Sequence, residues 1–138
     1  MTIDDVRRIL VVGAGQMGSQ IAMQSALHGY RVTLNDLSKE LLDRAMEGNR
    51  GHLERRLSKG QLTRDEMSAA LERVEREPDL ERAAMDADFV IEAIVERLEP
   101  KRECFARLDR LCQPHAILAT NSSTLMISQI ATATKRSD

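Results

Sequence analysis

Short apolar runs recur along the chain, and between them apolar residues return every three or four positions. Ile9 to Val12, Arg31 to Asn35, Phe89 to Ile94 and Ala116 to Ala119 are strand-length and rich in β-branched residues. The helical period fits Gln16 to His28, Lys39 to Leu57, Arg64 to Arg73 and Leu98 to Cys112. This alternation with short connections predicts an α/β fold, a parallel sheet with right-handed crossovers. A weaker run near Val74 adds a further strand before the Glu77-Pro78-Asp79 break. A polar start to a helix is spelled out in Thr63-Arg64-Asp65-Glu66, a capping box with Leu62 and Met67 as its hydrophobic staple. Ser38 is the expected N-cap of the long helix after it.

Residues 39–73 break the even spacing of strands. Their apolar stripe is thin (Leu42, Met46, Leu53, Leu57), the rest is mostly charged, and the chain turns at Lys59-Gly60. This predicts a helical hairpin inserted into the fold and standing off the sheet. A chain of 138 residues suits one domain with a real core, and with aromatics at 2% that core is aliphatic. The same scarcity removes base stacking, and a formal charge of −2 removes a global attraction to nucleic acid or membrane. No apolar run reaches the roughly eighteen residues of a membrane span. The N-terminus shows no secretory cleavage pattern, so the cytoplasm is expected. Cys104 and Cys112 sit eight apart on one predicted helix, roughly 12 Å at its usual rise, and are expected to be buried thiols rather than a disulfide.

The first strand runs into Gly13-Ala14-Gly15-Gln16-Met17-Gly18, and a helix follows. Gly13 permits the tight turn, Gly15 lets backbone approach a pyrophosphate, and Gly18 lets the helix pack closely on the strand. The helix start then offers free N–H groups and a positive dipole to phosphates. Asp36 ends the second strand, eighteen residues past Gly18, where a carboxylate accepts bonds from ribose hydroxyls and repels a 2′-phosphate. NAD is the expected cofactor; FAD and an ordinary strand–turn–helix are the alternatives.

Ligands of such sheets bind beyond the carboxyl ends of the strands. There the third strand delivers Ala93, Ile94 and Glu96, with Lys101 in the first turn of the next helix. A cation in that turn gains nothing from the helix dipole, which leaves two readings, an anionic partner or a solvated side chain on a charged helix. The last strand ends in Thr120-Asn121-Ser122-Ser123-Thr124, hydroxyls and an amide suited to orient a nicotinamide, a ribose or a substrate oxygen, or to cap the helix near Met126.

These segments resemble a known family. "VVGAGQMGSQIA", Asp36, "LSKGQLT", "ADFVIEAIVERLEPKRECFARLD" and "ATNSSTLMISQIA" are similar to the NAD-binding half of L-3-hydroxyacyl-CoA dehydrogenases, including bacterial 3-hydroxybutyryl-CoA dehydrogenases. The resemblance runs from about Arg8 to Arg136 and implies a Rossmann-type doubly wound sheet. It implies that the glycine loop, Asp36, Ala93, Ile94, Glu96, Lys101, Asn121 and Ser123 serve NAD, and that Ser123 reaches the substrate's 3-oxygen. Lys59 matches a position that contacts coenzyme A; Arg55 and Arg56 make a basic cluster with it that suits the coenzyme's phosphates or is simply a solvated helix face. Where some members carry a hydroxyl facing coenzyme A, this chain has His52.

Oxidising a secondary alcohol needs a base, most often histidine. His28 and His115 are expected at the wrong edge of the sheet, and His52 lies in the hairpin. The family's catalytic His and Glu have no counterparts here. The resemblance therefore implies a fragment lacking the C-terminal helical domain through which the parent forms a homodimer. The parent would oxidise L-3-hydroxyacyl-CoA in fatty-acid or butanoate metabolism. A free-standing NAD-binding sensor or regulatory module and a dehydrogenase of other hydroxy acids are the competing readings.

Overall fold

The computed structural model describes residues 2–122 and 127–136. After a 3-10 turn at Ile3–Asp5, β1 (Arg8–Val12), α1 (Gln16–Leu27) and β2 (Arg31–Asn35) follow in order. The hairpin α2 (Lys39–Ser58) and α3 (Arg64–Arg73) leads to the short β3 (Val74–Arg76) and α4 (Leu80–Ala84). The chain continues through β4 (Phe89–Glu92), α5 (Leu98–Leu111), β5 (Ile117–Thr120) and α6 (Ile127–Ala131). All strand pairs are parallel, in the spatial order β3-β2-β1-β4-β5. The sheet is thus doubly wound. The order reverses at β1, and a crevice opens beyond the carboxyl ends of β1 and β4.

The period-2 alternation of β1 fills both layers. Ile9 and Val11 join the core under α1 with Ala22, Ala26 and Val32. Leu10 and Val12 join the opposite core with Ala84, Val90 and Leu108. The hairpin stands off the sheet only at its tip. Near its base Leu42, Ala45 and Ala70 enter the first core, while Leu53 and Leu62 pack on Met23 of α1. The capping box is formed, with the Glu66 amide donating to Thr63 Oγ1 and the Thr63 amide to Glu66 Oε1, both at 3.1 Å. These bonds hold the Glu66 carboxyl below its usual range. Ser38 caps α2 through the Leu41 amide at 3.2 Å. At the other end of the fold, Arg136 closes α5. Its guanidinium donates to the Asp109 carboxylate at 2.8 Å and to the carbonyls of Cys112, Gln113 and Ala116.

Three strands differ from the sequence expectation, β1 by starting one residue earlier, at Arg8. β4 stops at Glu92 rather than Ile94, because the Ile94 amide turns to the Glu92 side chain at 2.7 Å and leaves the ladder. β5 runs one residue later than expected and pairs Thr120 with Glu92. The expected helix start near Met126 lies outside the described residues.

The expected apolar stripe on α2 omits Asn49, which is 3% exposed. Its Nδ2 has no hydrogen-bond partner among the described residues. It borders a cavity of about 10 Å³ among Met23, Leu53, Ala70 and Leu71, at the lower limit for one water. Asn49→Leu is expected to raise stability by about 1–2 kcal/mol, since it replaces an orphaned amide with apolar contact. A urea-unfolding midpoint no higher than that of the original chain would refute this.

Candidate functional site

The glycine loop occupies the carboxyl end of β1. Gly13 adopts φ +107°, and a Cβ there would lie 2.6 Å from the Ala93 carbonyl oxygen. Its amide donates to the Asn35 carbonyl at 2.8 Å, tying the loop to the end of β2. At Gly18 a Cβ would lie 1.7 Å from the Gly13 carbonyl oxygen, so only hydrogen lets α1 pack against the loop. Gly15 differs from both. It has an ordinary φ of −73°, and a Cβ there would meet nothing within 4 Å. Among the described residues no contact demands that glycine, and the space beside it is open.

Gly15 is also the N-cap of α1 and supplies no capping side chain. By contrast, α2, α3 and α4 start on Ser38, Thr63 and Asp79, each accepting from a first-turn amide. The first-turn N–H groups of α1 at Gln16, Met17 and Gly18 therefore face an open space at the positive end of the helix dipole. That is the environment a diphosphate requires. The residues fit such a group.

Asp36 stands beside this loop. The Ala14 amide donates to its Oδ2 at 3.0 Å and the Ser38 amide to its Oδ1 at 3.1 Å. Each oxygen keeps a second lone pair, so the carboxylate is oriented by the backbone and still able to accept a hydroxyl. Leu37 follows it at 88% exposure, and Met17 and Val95 are also exposed apolar side chains at this edge.

Across the crevice, the ends of β4 and β5 carry a polar network. Lys101 is 1% exposed and donates from Nζ to both oxygens of Glu92, at 2.9 and 2.8 Å. Glu96 Oε2 lies 3.5 Å from the same ammonium. Thr120 donates its hydroxyl to Glu92 Oε1 at 2.5 Å, and its Oγ1 accepts from the Ser122 amide at 3.1 Å. Ser122 Oγ in turn bonds Glu96. The anionic partner expected for Lys101 is thus chiefly Glu92, which the sequence reading missed. A carboxylate inside the run Phe89-Val90-Ile91-Glu92-Ala93-Ile94 was the available signal, because a charge there must be paired.

The structure brings the glycine loop, Asp36, Ala93, Ile94, Glu96, Lys101 and Asn121 to one edge of the sheet; Ser123 and Thr124 lie outside the described residues. Arg55, Arg56 and Lys59 lie together at the end of α2, with His52 Nδ1 bonded to Arg55 at 2.8 Å. His28 caps α1 at the opposite edge, and His115 bonds Asp88 at 2.9 Å there. His28 and His115 therefore lie away from the crevice. Neither cysteine offers a nucleophile. Burial, and then the Glu92 carboxylate, push the Cys104 thiol up to about 12, and burial raises Cys112 as well.

Comparison with known proteins agrees with this geometry. The family described as 3-hydroxyacyl-CoA dehydrogenase, NAD binding domain, matches residues 8–138. A probable 3-hydroxybutyryl-CoA dehydrogenase of Bacillus subtilis is 41% identical over 132 residues, covering 96% of this chain and 46% of that protein. A 3-hydroxyadipyl-CoA dehydrogenase of Escherichia coli is 40% identical over 95% of this chain and 27% of its own. The solved structure of an E. coli 3-hydroxybutyryl-CoA dehydrogenase superposes with a TM-score of 0.92 at 40% identity, over 95% of this chain and 28% of that one. The chain therefore spans less than half the length of these relatives. Among the described residues no helix is long and apolar enough to cross a membrane.

Proposed function

The chain belongs to the NAD-binding-domain family of the 3-hydroxyacyl-CoA dehydrogenases, and from that premise we propose that it binds NAD for oxidation of an L-3-hydroxyacyl-CoA, such as 3-hydroxybutyryl-CoA, to the 3-ketoacyl-CoA. NAD supplies the hydride acceptor. The residues of this chain bind and orient. Amides of Gly13 to Gly18 receive the diphosphate, and Asp36 receives the adenosine ribose. Ala93, Ile94, Glu96 and Asn121 border the nicotinamide end, and Ser123 is assigned to the substrate's 3-oxygen. Lys59, with Arg55 and Arg56, is assigned to the phosphates of coenzyme A. The parent protein is proposed to be a cytoplasmic homodimer that pairs through a further helical domain.

The observation that carries this reading is the division of labour among the glycines. Gly13 and Gly18 are required by the protein's own packing, whereas beside Gly15, at the start of α1, the space is open among the described residues. Calorimetric titration of the chain with NADH tests it. Asp36→Ala is expected to weaken binding at least about tenfold, the value of charge-assisted hydrogen bonds to a sugar hydroxyl. An unchanged affinity would refute the assignment.

Because His28 and His115 lie at the opposite edge and His52 is bonded to Arg55 on α2, this chain alone is expected to bind NADH yet leave 3-hydroxybutyryl-CoA unreacted. NADH absorbance at the rate of an ordinary dehydrogenase would overturn that expectation.

A further inference from the structure

The chain's most oxidisable groups are its two thiols and seven thioethers, and the fold sorts them. The thiols are withdrawn. Burial holds Cys104 and Cys112 in the protonated form, so neither supplies the thiolate that reacts with a peroxide. Met23 is 8% exposed, and Met46 and Met67 are partly buried beside it and Leu53. Met17 and Met85 are the exposed methionines among the described residues, at 52% and 53%. Their surroundings differ. Met85 follows α4, next to the Asp86 that pairs with Arg8 at the amino edge of the sheet. Met17 is the second residue of α1, in the turn whose N-cap, Gly15, brings no capping side chain.

A peroxide oxidises an accessible thioether to a sulfoxide. A sulfur lone pair takes one peroxide oxygen, the S–O bond forms as the O–O bond breaks, and the other oxygen leaves as water or an alcohol. Sulfur loses two electrons and the peroxide gains two. The new oxygen stands as far along the side chain as the Oε1 of a glutamine, and it is a strong acceptor. In the first turn of a helix an acceptor of that reach is drawn to the free N–H groups and the positive end of the dipole. At Met17 those donors are the amides assigned above to the diphosphate. The oxidised side chain therefore competes with the cofactor's phosphates from within the chain.

We propose that Met17 is a redox-sensitive modification site. A peroxide converts its thioether to the sulfoxide and weakens dinucleotide binding, and reduction of the sulfoxide restores it. Binding in turn protects the site, because a ligand resting on the first turn of α1 covers the sulfur. Met85, equally exposed, takes the same oxygen without consequence for the ligand. The proposal rests on the dinucleotide reading given above.

The test treats the chain with hydrogen peroxide, follows oxygen uptake at each methionine by mass spectrometry of its peptides, and measures NADH affinity by calorimetry. Met17 and Met85 are expected to oxidise ahead of Met23, and saturating NADH to slow Met17 about threefold or more while leaving Met85 unchanged. NADH affinity is expected to fall about tenfold or more, and to return after treatment with the two methionine sulfoxide reductases, one for each epimer. For Met17→Leu, affinity after peroxide is expected to stay within about twofold of that variant's own value before it, whereas Met85→Leu loses as much as the original chain. Met17→Gln places an acceptor at the same reach with no oxidant present, and is expected to bind NADH about tenfold more weakly. An equal loss in the Met17→Leu variant would show that peroxide acts elsewhere and overturns the proposal. Full oxidation of Met17 with affinity unchanged within about twofold overturns it too, as does Met17→Gln binding NADH that well. Failure of the untreated chain to bind NADH is a different result, since it removes the dinucleotide reading itself and this proposal with it.

Discussion

Gly18→Ala is expected to cost the chain at least about 3 kcal/mol of stability, the upper range for overpacking a tight site. The new methyl would sit 1.7 Å from the Gly13 carbonyl oxygen and 2.8 Å from its carbon. Both are backbone atoms, so no rotamer change relieves the clash. Either α1 slides along the sheet, disturbing Ala22 and Ala26 in the core, or the loop at Gly13 opens. Gly15→Ala is the matched control. It adds the same methyl at an ordinary φ of −73° with nothing within 4 Å. Its stability is expected to fall by no more than about 1 kcal/mol, while NADH affinity falls at least about tenfold as the methyl occupies the ligand's space. Urea unfolding and calorimetry on the two variants separate these effects. Equal stability of the Gly18 variant, or undiminished NADH binding by the Gly15 variant, would contradict the reading of this loop.

Lys101→Met alone is expected to lower stability by about 3–5 kcal/mol, because it strands a buried carboxylate. Glu92 would keep the Thr120 hydroxyl and the Ile94 amide but lose both ammonium bonds at 2.9 and 2.8 Å. Adding Glu92→Gln should recover most of that loss, since the carboxamide carries no charge into the core. Denaturant unfolding of the two single variants and the double variant closes the cycle. Additive losses would show that the two side chains do not depend on each other, against the geometry described above.

The order of strands and helices was legible because the pattern and the punctuation agreed. Gly29, at φ +96°, and Asp36 bracket β2 so closely that its bounds, Arg31–Asn35, follow from the sequence. The capping box at Thr63 fixed the start of α3 in the same way. Periodicity fails for α4, whose five residues are too few to display a repeat. It fails again at Glu92 and Asn49, where a polar residue sits in a buried position. Glu92 is reconciled with its surroundings by partners nine and 28 residues away, and no local pattern announces those. The glycine loop and Asp36 were readable because their spacing reflects backbone geometry. The polar network was not, because it depends on which side chains the sheet register sets side by side.

The close approach of Gly18 to Gly13 has a thermodynamic corollary. The shape of the loop is dictated by how the first helix seats on the first strand, so the cradle exists before any ligand arrives. The conformational entropy of ordering it is charged to folding, and little of the association free energy is diverted to organising it. A ligand that docks there meets rigid amides already aimed, and its affinity tracks complementarity rather than adaptation.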